Sequence, residues 1–171
     1  LSQPLLELDG KTLCIVGMGH IGRSVARAAQ GFGMRVVAYS SKTADELATM
    51  GVEKADDLPT LFRRADVLSL HCPLTASTER IINAQSLRQM KPTAILINTG
   101  RGPLIDEQAL ADALQRGELH AACLDVLCQE PPVSGSPLIG APRCYVTPHI
   151  AWASLAARQR LLRIARENIS A

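Results

Sequence analysis

The chain lacks a strong charge of either sign. Its 18 Lys and Arg stand against 16 Asp and Glu, a formal net charge of +2, so no overall field would draw it onto nucleic acid or an anionic membrane. A small metabolite is the expected partner. Long apolar runs are missing too: a stretch such as residues 94–97 is far too short to cross a bilayer. Residues 1–4 carry neither a basic segment nor a signal-like apolar stretch, and there is no initiating Met, which reads as a trimmed chain or a fragment. The five cysteines, Cys14, Cys72, Cys123, Cys128 and Cys144, are odd in number and without metal-ligand spacing. Four fall in or beside expected strands, where a thiol behaves as a small apolar group. The expectation is reduced thiols, no metal site and a cytoplasmic location. Repeats, low-complexity segments and internal linkers are also absent, so 171 residues with 47% hydrophobic content suit a single domain over residues 1–171.

What is present is an alternation of short β-rich apolar runs with helical patterns. Strands are expected at residues 13–17, 35–40, 67–71, 94–99, 121–126 and 145–147, and helices at 21–31, 44–50, 58–63, 84–90, 107–116 and 154–168. The strand runs are apolar without period-two alternation, as strands buried on both faces require. The pattern predicts an α/β fold of the Rossmann type, a doubly wound parallel sheet between two helical layers. Asp106 is placed to cap the helix that follows it, and Gly117 to end that helix. The one irregular stretch, residues 128–143, is rich in proline and glycine and too long for an ordinary connection.

The first strand runs directly into Gly17-Met18-Gly19-His20-Ile21-Gly22 and then into a helix, the setting that a dinucleotide fingerprint demands. Gly17 permits the tight turn, Gly19 lets backbone approach a pyrophosphate, and Gly22 lets helix and strand pack closely. The helix N-terminus offers free N–H groups to the phosphates. The second strand ends at Tyr39-Ser40-Ser41-Lys42, without the carboxylate that usually binds the ribose 2′-hydroxyl of NAD. Ser40 and Ser41 are hydrogen-bonding candidates there and Lys42 is either a partner for a 2′-phosphate or a solvated loop lysine, so both NAD and NADP are kept as cofactors. His71 and Cys72, ahead of Pro73, are expected along the adenosine side, and Thr78 joins that set.

Past the strand at 94–99, Arg101 stands between Gly100 and Gly102. A planar, permanently charged fork suits a substrate carboxylate. His149 follows a strand and Pro148, and histidine titrates near enough to neutrality to exchange a proton with a carbonyl or hydroxyl. Glu130 is a candidate partner for the ring nitrogen facing away from substrate, fixing the tautomer. Asp125, at another strand end, either contacts a cofactor amide or caps a backbone turn. His20 sits in the phosphate loop and His120 reads as a solvated loop histidine. Near the C-terminus Arg158, Arg160, Arg163 and Arg166 lie beside Leu155, Leu162 and Ile169 at helical spacing, a solvated basic face rather than a nucleic-acid site.

Taken together, residues 17–22, the His71-Cys72-Pro73-Leu74-Thr75 segment, Asn98-Thr99-Gly100-Arg101-Gly102, Asp125-Val126 with Glu130-Pro131, and Thr147-Pro148-His149-Ile150 resemble the D-isomer-specific 2-hydroxyacid dehydrogenases over residues 7–170. Within that family residues 91–102, 149–153 and 157–161 most resemble the bacterial glycerate dehydrogenases, or hydroxypyruvate reductases. The resemblance implies hydride transfer between a nicotinamide cofactor and a 2-oxo acid/D-2-hydroxy acid pair, with Arg101 binding the acid, His149 as acid/base and Glu130 as its partner. It also implies cofactor contacts from His20, Ile21, Thr99, Gly100, Asp125, Ala151 and Trp152, and a homodimer formed through this domain. Ser40 departs from the Asp that many members carry. The family is built from two domains, of which the chain matches the nucleotide-binding one. A dinucleotide-sensing corepressor of the same fold is the competing reading.

Overall fold

The computed structural model describes residues 6–169, and the N-terminal residues 1–4 lie outside them. Seven parallel strands form one sheet: β1 (Thr12–Val16), β2 (Arg35–Tyr39), β3 (Glu53–Lys54), β4 (Val67–Leu70), β5 (Ile95–Asn98), β6 (Ala121–Leu124) and β7 (Cys144–Val146). Their spatial order is β3-β2-β1-β4-β5-β6-β7. The chain winds outward from β1 through β2 to β3, then returns to the other side of β1 and winds outward again. That reversal opens a crevice beyond the C-terminal ends of β1 and β4, where open α/β sheets bind ligands.

The helices are α1 (His20–Gly31), α2 (Ala44–Ala48), α3 (Leu58–Arg64), α4 (Ala84–Leu87), α5 (Glu107–Arg116) and α6 (Leu155–Ile169). Alternate residues of β1 feed two separate cores. Leu13 and Ile15 pack with Ala26 and Ala29 of α1 and Leu47 of α2, while Cys14 and Val16 pack with Leu61 and Phe62 of α3 and Leu110 and Leu114 of α5. Both faces of the sheet are therefore covered, which explains the unalternating strand sequences. Helix boundaries follow local chemistry. Thr43 and Glu46 form a reciprocal capping box on α2, Asp106 accepts from the Ala109 N–H at 3.1 Å, and Gly117 ends α5 at φ +72°.

Three expectations require correction. The pattern of apolar runs missed β3, which pairs with β2 through only Glu53 and Lys54 and is too short to show periodicity. Several strands also end earlier than expected: Gly17, Ser40, His71, Thr99 and Asp125 lie just past their ladders, because the backbone turns outward there to form the site. The apolar residues of α6 do not pack inward; Leu155, Leu162 and Ile169 are 72%, 71% and 87% exposed.

Candidate functional site

A cavity of about 770 Å³ occupies the crevice beyond β1, β2 and β4. Its floor is the glycine turn. Gly17 has φ +95°, and a Cβ there would lie 2.6 Å from the His71 carbonyl oxygen; both facts demand glycine. A Cβ on Gly22 would run into the Gly17 carbonyl, so α1 can approach the turn only without a side chain at that position. Gly19, in contrast, faces open space. It begins α1 with no side-chain cap and no acidic residue in the first turn, leaving the helix N-terminus open to an anion. These features fit a dinucleotide: a tight turn, free space at Gly19 and an uncapped helix end.

The same cavity gathers Ser40, Ser41 and Lys42 from the end of β2, and His71, Cys72, Pro73 and Thr78 from the segment after β4. Ser40 Oγ accepts from the Lys42 N–H at 3.2 Å. Lys42 is not a free cation, since its Nζ pairs with Glu46 at 3.3 Å. Thr78 Oγ1 donates to the Pro73 carbonyl at 2.7 Å, holding the 73–78 turn against the cleft. His71 lies 2.9 Å from Ser69 Oγ through Nε2, and burial pushes its pKa down, favouring the neutral ring. Burial likewise raises the Cys72 thiol.

Sequence reasoning missed Lys54 and Asp56, which also line this cleft. They arrive with the unrecognised β3, and Lys54 Nζ donates to the Lys42 carbonyl at 2.8 Å. His20 does not line the cleft. It borders a separate cavity of about 500 Å³, with Nδ1 3.2 Å from Arg23 Nη2. Ile21 is 66% exposed beside it.

A second cluster forms where β5, β6 and β7 end side by side. Asn98, fully buried at the end of β5, donates from Nδ2 to the Arg101 carbonyl at 2.9 Å and accepts from the Gly100 N–H at 3.0 Å. It thereby ties down Thr99, Gly100 and Arg101; its place at a strand end, two residues before a glycine, was the signal for such a brace. The exposed Arg101 side chain leans on the Gly100 carbonyl at 2.7 Å. A Cβ on Gly102 would collide with the Leu127–Cys128 peptide, so this glycine lets the arginine loop press against the loop that carries Glu130.

His149 sits in the left-handed region at φ +54°, an uncommon conformation for a residue with a Cβ. Asp125 holds it there. The Asp125 carbonyl accepts from the His149 N–H at 2.9 Å. Its carboxylate accepts from Thr147 Oγ1 at 2.5 Å and from the Ile150 and Ala151 N–H groups at 2.9 and 2.8 Å. Burial pushes the Asp125 pKa up, but these hydrogen bonds outweigh it and hold the carboxyl below its usual range. Of the two roles open to Asp125, the turn cap is the one the geometry displays. The Ala151 N–H is spent on this cap, and Trp152 beyond it is 54% exposed.

His149 Nδ1 lies 2.6 Å from Glu130 Oε2, and Glu130 Oε1 accepts from the Leu127 N–H at 2.8 Å. Burial acts to raise the Glu130 pKa; the bonds from His149 and Leu127 outweigh it, so the group is held below the usual carboxylate range. An ionised carboxylate only accepts, which places the proton on Nδ1 and leaves Nε2 for a ligand. Beside the pair is a cavity of about 560 Å³ with Leu127, Pro131, Pro132, Ile139 and Val146 in its walls.

Among the described residues no group of three or more His, Cys, Asp or Glu is arranged to hold a metal, and no helix is long and apolar enough to cross a membrane. His120 is half-buried rather than solvated, its carbonyl accepting from Arg143 Nε at 2.7 Å.

The family pattern described as D-isomer specific 2-hydroxyacid dehydrogenase, NAD binding domain, matches residues 2–151. The chain is 44% identical over 166 residues to a hydroxypyruvate reductase of Blautia hydrogenotrophica, covering 97% of the chain and 51% of that protein. It is 43% identical over 170 residues to a glycerate dehydrogenase of Methylorubrum extorquens, covering 98% and 52%. Among solved structures, the D-lactate dehydrogenase of Lactobacillus jensenii with NAD+ superposes at a TM-score of 0.88 and 34% identity, over 97% of the chain and 53% of that structure. The chain thus spans about half the length of the relatives it matches.

Proposed function

Since the chain belongs to the D-isomer specific 2-hydroxyacid dehydrogenase family through its NAD-binding domain, we propose that it serves the reduction of a 2-oxo acid to a D-2-hydroxy acid, with hydroxypyruvate as the leading substrate. The observation that carries this reading is the 2.6 Å Glu130–His149 pair, held at the sheet edge that also presents Arg101 and opens onto the nucleotide crevice. A nicotinamide dinucleotide in that crevice supplies the hydride. The glycine turn at Gly17 and Gly19 and the N-terminus of α1 receive its phosphates. Arg101 clamps the substrate carboxylate with a planar fork. His149 donates a proton from Nε2 to the substrate oxygen, while Glu130 keeps the ring oriented and stabilises its charged form. Arg101, Glu130 and His149 are the catalytic residues on this reading, and Thr99, Gly100, Asp125, Ala151 and Trp152 border the nicotinamide end.

Residues 1–171 make up the nucleotide-binding domain. NAD is favoured over NADP because Glu46 already pairs with the one cation of the Ser40–Lys42 loop. The five unpaired cysteines support a cytoplasmic protein, and a homodimer through this domain is the assembly that the family resemblance implies. The relatives' names, reductases and dehydrogenases, give the corepressor reading no support.

The test is a calorimetric titration with NADH and NADPH, paired with NADH oxidation on hydroxypyruvate, glyoxylate and pyruvate. The expected result is NADH binding by this chain with slow turnover, and fast turnover once a second domain closes the cleft and excludes water. Fast turnover by the chain alone would sink the need for that closure. NADH binding without oxidation of any 2-oxo acid by the two-domain protein would overturn the catalytic reading.

A further inference from the structure

The first residue of α5, Glu107, lies far from the catalytic pair in sequence but brackets the loop that delivers it. Its Oε1 accepts from the Cys128 N–H at 2.6 Å, and its Oε2 accepts from Ser136 Oγ at 2.7 Å. Ser136 Oγ in turn accepts from the Leu138 N–H at 3.2 Å, and Leu138 is buried in the core. One half-buried carboxylate therefore grips the irregular stretch at its start and again at its middle. No Lys or Arg pairs with Glu107 among the described residues, so both oxygens are committed to this loop.

The bond to Cys128 matters most. Two successive backbone N–H groups are shared out between two carboxylates: Leu127 donates to Glu130 and Cys128 donates to Glu107. Each bond orients its own planar peptide, and the two peptides flank Leu127, so together the bonds restrict its φ and ψ and the path of the chain toward Glu130. The same segment is pressed from below by Gly102, whose hydrogen faces the Leu127–Cys128 peptide, and is joined at its side by Cys128 Sγ donating to the Ile105 carbonyl at 3.7 Å. A first-turn carboxylate needs none of this to favour a helix N-terminus, where a solvated charge suffices.

We propose that Glu107 is a positioning residue for the Glu130–His149 pair, acting through the Cys128 and Leu127 amides. The inference rests on the catalytic reading above for its kinetic consequence, although the contact itself has a separate readout. A carboxylate aimed at His149 Nδ1 holds the neutral ring in the Nδ1–H tautomer. When the loop loosens, Glu130 swings away and the ring reverts to a mixture. Glutamine at position 107 keeps an oxygen for Cys128 and an amide that can donate to Ser136 Oγ, so it preserves the bracket; alanine removes it.

The experiment has two arms. In the chain itself, long-range 15N–1H correlation spectra of the neutral imidazole report the tautomer of His149. The wild type and Glu107→Gln are expected to show Nδ1–H, and Glu107→Ala a mixture, with the amide spectrum of the sheet unchanged. An unchanged tautomer in Glu107→Ala overturns the proposal whether or not turnover is found. In the two-domain enzyme, Glu107→Ala is expected to lower kcat about 10- to 100-fold with KM for NADH changed less than about twofold, and Glu107→Gln to restore most of the loss. In a Glu130→Ala background the same change is expected to cost less than about twofold, because coupled residues are not additive. Equal losses in both backgrounds would assign Glu107 to helix stability and overturn the proposal. A wild-type enzyme inactive on every 2-oxo acid would overturn the catalytic reading alone, leaving the tautomer to decide the role of Glu107.

Discussion

At the C-terminal end of β1 the chain passes through three glycines in six residues, whereas at the ends of β6 and β7 it passes through Asp125, Glu130 and His149. On the proposed function the two regions solve different problems. A phosphate is recognised by backbone N–H groups and by space, so the crevice is shaped by the side chains that Gly17, Gly19 and Gly22 lack. Proton transfer needs a side chain in one orientation, so the other region is held by carboxylates that grip backbone amides: Asp125 under His149, Glu130 on Leu127 and Glu107 on Cys128. Damage should accordingly differ in kind. Filling the first region breaks the fold and binding together, while loosening the second spares the fold and slows chemistry.

The largest expected effect is at Gly17. Its positive φ and the nearby His71 carbonyl leave no room for Gly17→Ala, which should cost on the order of 2–4 kcal/mol in urea unfolding and remove calorimetric binding of NADH. Wild-type stability and affinity would show that the β1 and β4 ends do not meet as described. His149→Ala tests the other side. It is expected to lower kcat by roughly 10²–10⁴ and to leave the NADH dissociation constant within about twofold; matched losses in both would make the histidine structural.

Asp125→Asn should fall between the two regions, because it replaces one acceptor oxygen with an NH2 donor that cannot satisfy the backbone N–H it faces. Replacing the carboxylate leaves an amide facing the Ile150 or Ala151 N–H, at a cost of about 1–3 kcal/mol. The folded-state pKa of Asp125 is lowered, so its contribution to stability is fully present above the unfolded value of about 3.9. It is lost as pH falls through the folded value. The Asn variant should therefore show a shallower loss of stability on acidification, with the slope from Glu130 remaining, since that group is shifted the same way. An unchanged acid-unfolding curve would remove Asp125 from the cap. The smallest effect is expected from Lys42→Ala. With Glu46 already engaging the ammonium, NADPH affinity should change by less than about threefold, and a larger loss would assign Lys42 to the 2′-phosphate after all.

Much of this comparison is legible in the amino-acid sequence itself. The spacing of Gly17, Gly19 and Gly22 after an apolar run specifies a strand, turn and helix, and the structure places that turn in the crevice. Asp106 and Gly117 announced the ends of α5 because caps are local chemistry. The pairing of Glu130 with His149 was an expectation from residue type, and the structure brings the two side chains together across 19 positions. The placement of His20 was not readable: it turns away from the crevice toward Arg23, a choice made by rotamer and neighbours rather than by motif.

What the sequence determined by itself was whatever depends on adjacent residues: strand and helix identity, the turn that only glycine can make, and the caps. The tertiary structure decided what depends on residues meeting across long stretches of chain. It added β3 with Lys54 and Asp56 at the crevice, turned Asp125 into the brace of a left-handed histidine, and set Glu107 against a loop 21 residues away. The physical reason is range: periodicity and backbone stereochemistry act over a few residues, while a hydrogen bond between distant segments exists only after the sheet has ordered both of them.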